Sequence, residues 1–84
     1  MKDKQYFKKG TELDEGWVVF YFEFEADYII RQIEVYPTAT FFLDEANPEI
    51  EGHMLGDQSI RYFDYDPSDI ISAEEFFQIW NTRK

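Results

Sequence analysis

The stretch from Asp64 to Glu75, DYDPSDIISAEE, places oxygen-bearing side chains at the spacing of a calcium-binding loop. A twelve-residue EF-hand loop takes oxygen ligands at positions 1, 3, 5 and 9, an aliphatic residue at position 8 and a bidentate Glu at position 12. In chain order, those positions hold Asp64, Asp66, Ser68, Ile71, Ser72 and Glu75. An EF-hand-like calcium-binding module at residues 64–75 is therefore one hypothesis for this chain.

Two positions of the loop and the residues before it weaken the calcium hypothesis. Position 6 holds Asp69, whereas an EF-hand needs the positive φ that Gly adopts most easily, and Pro67 removes a backbone N–H from a tight loop. The residues before Asp64 include Gly52 and Gly56 and then several strand-favouring side chains. They do not predict the incoming helix of an EF-hand.

A capped helix explains the end of this stretch without a metal ion. Ser72 and Glu75 have the spacing of a capping box, in which each side chain binds a backbone N–H at the start of a helix. Ile71 and Phe76 occupy the two positions of a hydrophobic staple, and the apolar side chains that follow recur at helical spacing. The sequence predicts a helix from Ala73 to about Asn81 and no metal ligands.

The composition indicates a small soluble domain. A chain of 84 residues buries only about 60% of its unfolded surface, and nine Phe, six Tyr and two Trp supply a dense core. Because cysteine is absent, neither disulfides nor thiolate metal sites are expected. The first residues lack the apolar region of a secretory signal, and no segment reaches the roughly 20 apolar residues of a membrane helix. We expect a cytoplasmic protein without a cofactor.

The net charge of −10 is unevenly distributed along the chain. Residues 1–9 carry +3, whereas residues 10–82 carry −15, with only Arg31 and Arg61 as basic residues. A strongly acidic body repels nucleic acids and membrane surfaces and attracts basic partners. The charge therefore predicts a basic protein partner, with neither nucleic acid nor membrane bound.

The pattern along the chain predicts an α+β fold. Residues 1–16 are interpreted as a basic, partly mobile leader, and residues 17–84 as a single domain. Within that domain we expect a loop at 44–57 and strands at Trp17–Glu25, Tyr28–Tyr36, Thr40–Asp44 and Ser59–Tyr65. Short connections favour an antiparallel meander. The prediction is a four-stranded, mainly antiparallel sheet with one C-terminal helix packed on a face.

Alternation along the second strand assigns its side chains to two faces. Ile29, Ile33 and Val35 are expected on the same face as Arg31. Arg31 is expected to have a structural role, pairing with Glu23 or Glu25 on the neighbouring strand.

No constellation of catalytic residues is apparent. His53 is the single histidine and lies in a Gly-flanked loop, where we expect it to be exposed to solvent. Neither a cysteine nucleophile nor a Gly-rich phosphate loop accompanies it, and so small a chain can hardly build a deep cleft. The sequence predicts that the protein is not an enzyme.

Three short motifs resemble a family of small acidic bacterial proteins. The motifs are RQIEVYP at Arg31–Pro37, HMLGD at His53–Asp57 and IISAEEFFQIW at Ile70–Trp80. That family is formally of unknown function, and its members resemble immunity proteins of polymorphic and contact-dependent toxin systems. The chain departs from the family pattern at PTAT after the second strand and in an aromatic Ser59–Asp69 segment. Such departures would suit a surface matched to one toxin.

The resemblance and the charge lead to the same functional hypothesis. The chain is interpreted as an immunity protein that binds and occludes a basic toxin domain, most naturally a nuclease. The expected contact surface combines acidic and aromatic side chains: Glu23, Glu25, Asp27, Asp44, Glu45, Tyr62, Asp64, Tyr65 and Asp66. An acidic DNA mimic that inhibits a nucleic-acid-binding defence protein is the alternative, and a homodimer is possible.

Overall fold

The computed structural model describes residues 3–83, which contain one main antiparallel sheet and one α-helix. The elements, in chain order, are β1 (Lys4–Leu13), β2 (Gly16–Glu25), β3 (Tyr28–Val35), β4 (Thr40–Asp44), β5 (Glu49–Ile50), β6 (His53–Met54), β7 (Ile70–Ile71) and α1 (Ala73–Trp80). The main sheet has five strands in the order β4–β3–β2–β1–β7, and β5 and β6 form a separate small hairpin. The α+β class with a C-terminal helix is confirmed, whereas the predicted count of four strands is wrong.

The additional long strand is β1, which lies inside the sheet. It pairs with β2 along its whole length, from Lys4 opposite Glu25 to Leu13 opposite Gly16, and with β7 on its other side. The interpretation of residues 1–16 as a mobile leader is therefore wrong for Lys4–Leu13. Met1 and Lys2 lie outside the described residues. Only two large apolar side chains anchor the middle of β1, so its amphipathic pattern is short.

The predicted meander of β2, β3 and β4 is confirmed, with one irregularity. A bulge shifts the pairing of β2 with β3, so that Glu23 lies opposite Arg31 while Phe24 lies opposite Ile29. The residue between them, Ile30, is the extra one. Placing Ile29 on the face of Ile33 was therefore wrong, because the bulge reverses the alternation at that point.

The segment Ser59–Tyr65 is not the predicted fourth strand. A single 3₁₀ turn spans Ile60–Tyr62, and the Ser59 hydroxyl accepts the backbone N–H of Arg61 at its start (3.2 Å). The aromatic residues that suggested a strand are used for packing. The Phe63 ring lies 5.0–5.1 Å from the rings of three phenylalanines on β1 and β2: Phe7, Phe22 and Phe24.

The sheet is covered on both faces, which gives the protein two hydrophobic clusters. On one face α1 packs over a cluster whose buried members are Tyr6, Tyr21, Ile33, Phe76 and Trp80. On the other face the segment after β4 covers a second cluster whose buried members are Phe7, Phe24 and Ile29. Because both faces of the sheet are covered, the side chains of β2 are largely apolar on both faces.

The helix begins and ends close to the predicted residues. The Ser72 hydroxyl accepts the backbone N–H of Glu75 (3.0 Å), so this half of the capping box is present. The Glu75 carboxylate instead lies 4.0 Å from Lys8 Nζ. No helix in residues 3–83 has the length and apolar composition needed to cross a membrane.

Candidate partner-binding surface

The lysines of β1 face acidic side chains of the same molecule. Lys4 Nζ lies 3.7 Å from the Glu23 carboxylate and 3.8 Å from that of Glu25. Lys9 Nζ lies 4.0 Å from the Asp69 carboxylate and donates to the carbonyl oxygen of Asp64. The basic residues of this strand therefore offset part of the negative charge of the domain.

Glu23 is part of the interior and is excluded from the predicted contact surface. Its side chain is completely buried and accepts hydrogen bonds from the Tyr6 hydroxyl (2.7 Å) and from Arg31. Burial, with the Glu23 carboxylate adding to it, raises the pKa of Tyr6 to about 12. The structural role predicted for Arg31 is confirmed with Glu23 as its partner. Its guanidinium also lies 5.7 Å from the centre of the Trp80 ring.

Four other predicted residues gather at the end of the sheet where β2 turns into β3. We call this group the acidic end: Glu25, Asp27, Asp44 and Glu45. Glu25 and Asp27 flank the turn, and the pairing of Asp44 with Arg31 brings the end of β4 to the same end of the sheet. Asp27 and Glu45 are exposed. Asp44 is partly buried.

The carboxylate of Asp44 also shapes the chain locally. One of its oxygens accepts the backbone N–H groups of Ala46 (3.0 Å) and Asn47 (2.8 Å). These bonds form a turn of the kind that Asp side chains favour, directly after β4. The turn keeps Asp44 and Glu45 at the acidic end.

Two exposed tyrosines border the acidic end. The backbone N–H of Ile60 donates to the carbonyl oxygen of Asp27 (2.7 Å), which brings the 3₁₀ turn and Tyr62 to this end of the sheet. Tyr62 was predicted from the sequence, and its side chain is 78% exposed. Tyr28, which pairs with Glu25 and is 57% exposed, was missed because it was counted only as a strand residue. Its position directly after Asp27 is the signal that could have identified it.

The three remaining predicted residues form a separate patch beside β1 and β7. Tyr65 packs its ring 4.5 Å from that of Phe7 and keeps 39% of its surface exposed. Asp64 and Asp66, on either side of it, are exposed. The predicted set therefore divides into a buried carboxylate, the acidic end with Tyr62, and this second patch.

The polar groups of the residue 64–75 stretch are used by the protein itself. The Asp69 carboxylate accepts the backbone N–H of Asp66 (2.9 Å), and the Ser72 hydroxyl caps α1. A single 3₁₀ turn stands where an EF-hand has its incoming helix. Within the part of the chain that the structure describes, no three His, Asp or Glu side chains are grouped so as to hold a metal ion.

His53 is not the exposed loop residue that was predicted. It belongs to β6, its side chain is 26% exposed, and its ring stacks on Phe41 with 4.0 Å between the ring centres. His53 Nδ1 lies 2.9 Å from the buried Glu34 carboxylate and 3.2 Å from the Tyr36 hydroxyl. Burial, followed by the nearby Glu34, raises the pKa of Tyr36. These contacts fasten the β5–β6 hairpin to the sheet.

Gln32 continues the same attachment. Its side-chain amide donates to the Glu34 carboxylate (2.6 Å) and to the carbonyl oxygen of Met54 (3.2 Å), and accepts the backbone N–H of Gly56 (2.8 Å). These contacts hold the HMLGD segment on the sheet. A Gln in the middle of a strand was the available sequence signal, but two of its three partners, Met54 and Gly56, are more than 20 residues away in the chain.

Comparison of the chain with profiles of known protein families, with curated proteins and with solved structures finds no match in any of the three. The resemblance of its motifs to immunity proteins therefore stays a prediction.

Proposed function

We propose that this protein is an immunity protein that neutralises a toxin by binding and covering a basic toxin domain. The observation that carries the proposal is the acidic end, where four carboxylates lie at the same end of the sheet as two exposed tyrosines. Covering an active site requires tight binding and no chemical turnover, so no catalytic residue is assigned.

The charge of the acidic end suits a basic partner. Of the three described lysines of β1, Lys4 lies 3.8 Å from Glu25 and offsets one carboxylate of the acidic end. The other two face acids elsewhere, since Lys8 lies near Glu75 and Lys9 near Asp69. Asp27 and Glu45 are exposed at the acidic end. Nuclease toxins bind phosphates through basic side chains, so their active sites present the complementary charge. Opposite charges on two surfaces speed association and disfavour wrong partners.

The tyrosines provide the contact area that charge alone lacks. Tyr28 and Tyr62 each expose more than half of their surface. Tyrosine is enriched among the residues that dominate binding energy. When it is buried against a partner, its ring supplies a large apolar contact area and its hydroxyl can still form a hydrogen bond. Burying these rings against a partner would slow dissociation.

The test is co-expression with each basic toxin domain encoded beside the gene of this protein. We expect one such toxin to lose its toxicity, and an inactive variant of that toxin to bind in a one-to-one complex in calorimetry. Failure of every neighbouring toxin to bind would contradict the proposal. Tight binding instead to a nucleic-acid-binding defence protein, displaced by duplex DNA, would favour the DNA-mimic alternative.

A further inference from the structure

Strand β4 forms one edge of the main sheet. Within residues 3–83 it pairs only with β3, and the sheet order ends with it. An edge strand presents backbone N–H and C=O groups that another extended chain can bind. The opposite edge, β7, has two residues and offers much less backbone.

The turn before β4 determines which of its backbone groups face outwards. The N–H of Tyr36 donates to the carbonyl oxygen of Ala39 (2.8 Å), so these two residues form a hydrogen-bonded pair. Hydrogen-bonded and non-bonded pairs alternate in an antiparallel ladder. Thr40 and Phe42 therefore fall on non-bonded positions, and their N–H and C=O groups point away from β3. Phe41 and Leu43 carry the bonds to β3.

A groove of about 500 Å³ lies along this outer edge. Its lining comes mainly from β4, the β5–β6 hairpin and the end of α1, and includes Phe42, Asp44, Ile50, Glu51, Trp80 and Arg83. The rings of Phe42 and Trp80 are in contact, with 5.7 Å between their centres. The groove thus combines an apolar wall with two carboxylates.

We infer that β4 binds an extended segment of the protein partner, which joins the sheet as an additional strand. Side chains alternate along a strand, so an apolar residue can enter between Trp80 and Ile50 while its basic neighbours approach Asp44 and Glu51. The Arg83 guanidinium lies 4.4 Å from the Trp80 ring centre and donates to the Trp80 carbonyl oxygen. It brings one positive charge against the two carboxylates, so the lining charge of the groove stays negative. The inference rests on the proposed function in taking the partner to be a basic protein.

Charge favours a basic segment over a second copy of this chain. Each copy carries a net charge of −10, and joining two β4 edges would bring two acidic bodies together. Asp44 ends β4 and Glu45 follows it, so a basic segment gains from the same residues that would repel another copy.

The test compares Thr40→Pro with Thr40→Val. Proline removes the outward N–H of an exposed edge residue without removing a bond to β3, whereas valine keeps both the N–H and the side-chain shape. The probe is a library of short displayed peptides with one apolar residue between lysines or arginines. We expect peptides selected on the unchanged protein to bind Thr40→Pro about tenfold more weakly and Thr40→Val equally well.

Hydrogen exchange provides a second readout that needs no variant. On addition of a selected peptide, the amides of Thr40 and Phe42 should exchange more slowly. The amides of Phe41 and Leu43 serve as internal controls, since they are already bonded to β3 and should change little. Protection elsewhere with none at Thr40 and Phe42 would overturn the inference.

The outcomes separate this inference from the proposed function. A neighbouring toxin domain that binds Thr40→Pro and Thr40→Val equally well would overturn the strand inference and leave the immunity proposal standing. Peptides that require the Thr40 N–H, with no toxin bound, would support the strand inference and contradict the proposed function. Failure of all peptides to bind would overturn the inference, as would concentration-dependent dimers that Thr40→Pro abolishes.

Discussion

Glu23 and Arg31 carry opposite charges on adjacent strands, and the sheet buries the carboxylate completely. Glu23→Gln keeps the shape of the side chain but leaves the Arg31 guanidinium without its charged partner. Because that guanidinium is partly exposed, we expect a loss of about 2 kcal/mol in the free energy of unfolding, less than for a fully buried pair.

Urea denaturation measures this loss, with Glu12→Gln as the control. Glu12 lies on β1 and is exposed, so its substitution should change the free energy of unfolding by less than about 0.5 kcal/mol. Equal stability of the two variants would contradict the structural role given to Glu23.

The hydroxyl of Tyr6 makes stability dependent on alkaline pH. Its pKa is raised from 10.0 to about 12, so the folded protein retains this proton at pH values where the unfolded chain has lost it. The resulting stabilisation is complete below pH 10 and is lost as pH rises through 12. Tyr6→Phe lacks this titration, so its stability should fall less than that of the unchanged protein between about pH 9 and about pH 11.

The urea midpoints of both proteins at the two pH values test the role of Tyr6. At the lower pH the unchanged protein should be more stable than Tyr6→Phe, because the Tyr6 hydroxyl donates to Glu23. The difference should shrink at the higher pH, because the Tyr6 hydroxyl of the unfolded chain ionises there while that of the folded protein keeps its proton. A constant difference would contradict the role given to the Tyr6 proton.

Single residues could be interpreted from the sequence where their partners are close in the chain. The pairing of Arg31 with Glu23 follows from the short connection between two adjacent strands. The burial of Glu23 could not be predicted, because it depends on Tyr6 and Lys4 of a strand that was read as a leader. His53 was misjudged for a similar reason, since Glu34 lies 19 residues away.

The start of α1 depends on one side chain. The Ser72 hydroxyl satisfies the N–H of Glu75, which has no partner inside the helix. Ser72→Ala should therefore lower the free energy of unfolding by about 1 kcal/mol. Ser68→Ala, in the exposed turn before β7, is the matched control and should have little effect. Thermal unfolding of both variants checks this, and equal melting temperatures would contradict the role of the cap.

Elements with strong local signals were predictable. The limits of β4 and the start of α1 are as predicted, because turn residues and the helix cap mark them within a few positions. β1 was missed because its apolar core is only Tyr6 and Phe7, and its pairing with β2 had to be known first. The aromatic residues of Ser59–Tyr65 suggested a strand, but they pack on a sheet face instead.

At the scale of the whole molecule, folding places basic residues from the start of the chain against acidic residues from later segments. The lysines of β1 enter the sheet, where Lys4 faces an acidic side chain of β2 and Lys9 faces one in the segment before α1. The net charge predicted an acidic surface but not where it lies. Its location depends on which acids pair with the lysines and Arg31 and which remain exposed. The predicted contact set accordingly lost Glu23 and gained Tyr28.

The most direct measurement is the association rate with a neighbouring basic toxin domain, made with two double charge reversals. Asp27→Lys with Glu45→Lys alters the acidic end, whereas Glu12→Lys with Glu15→Lys alters exposed acids at the opposite, β1–β2 end of the sheet by the same charge. We predict that the first variant associates at least about tenfold more slowly at low salt, while the second changes much less. Equal slowing in both variants would contradict the claim that the acidic end is the binding surface.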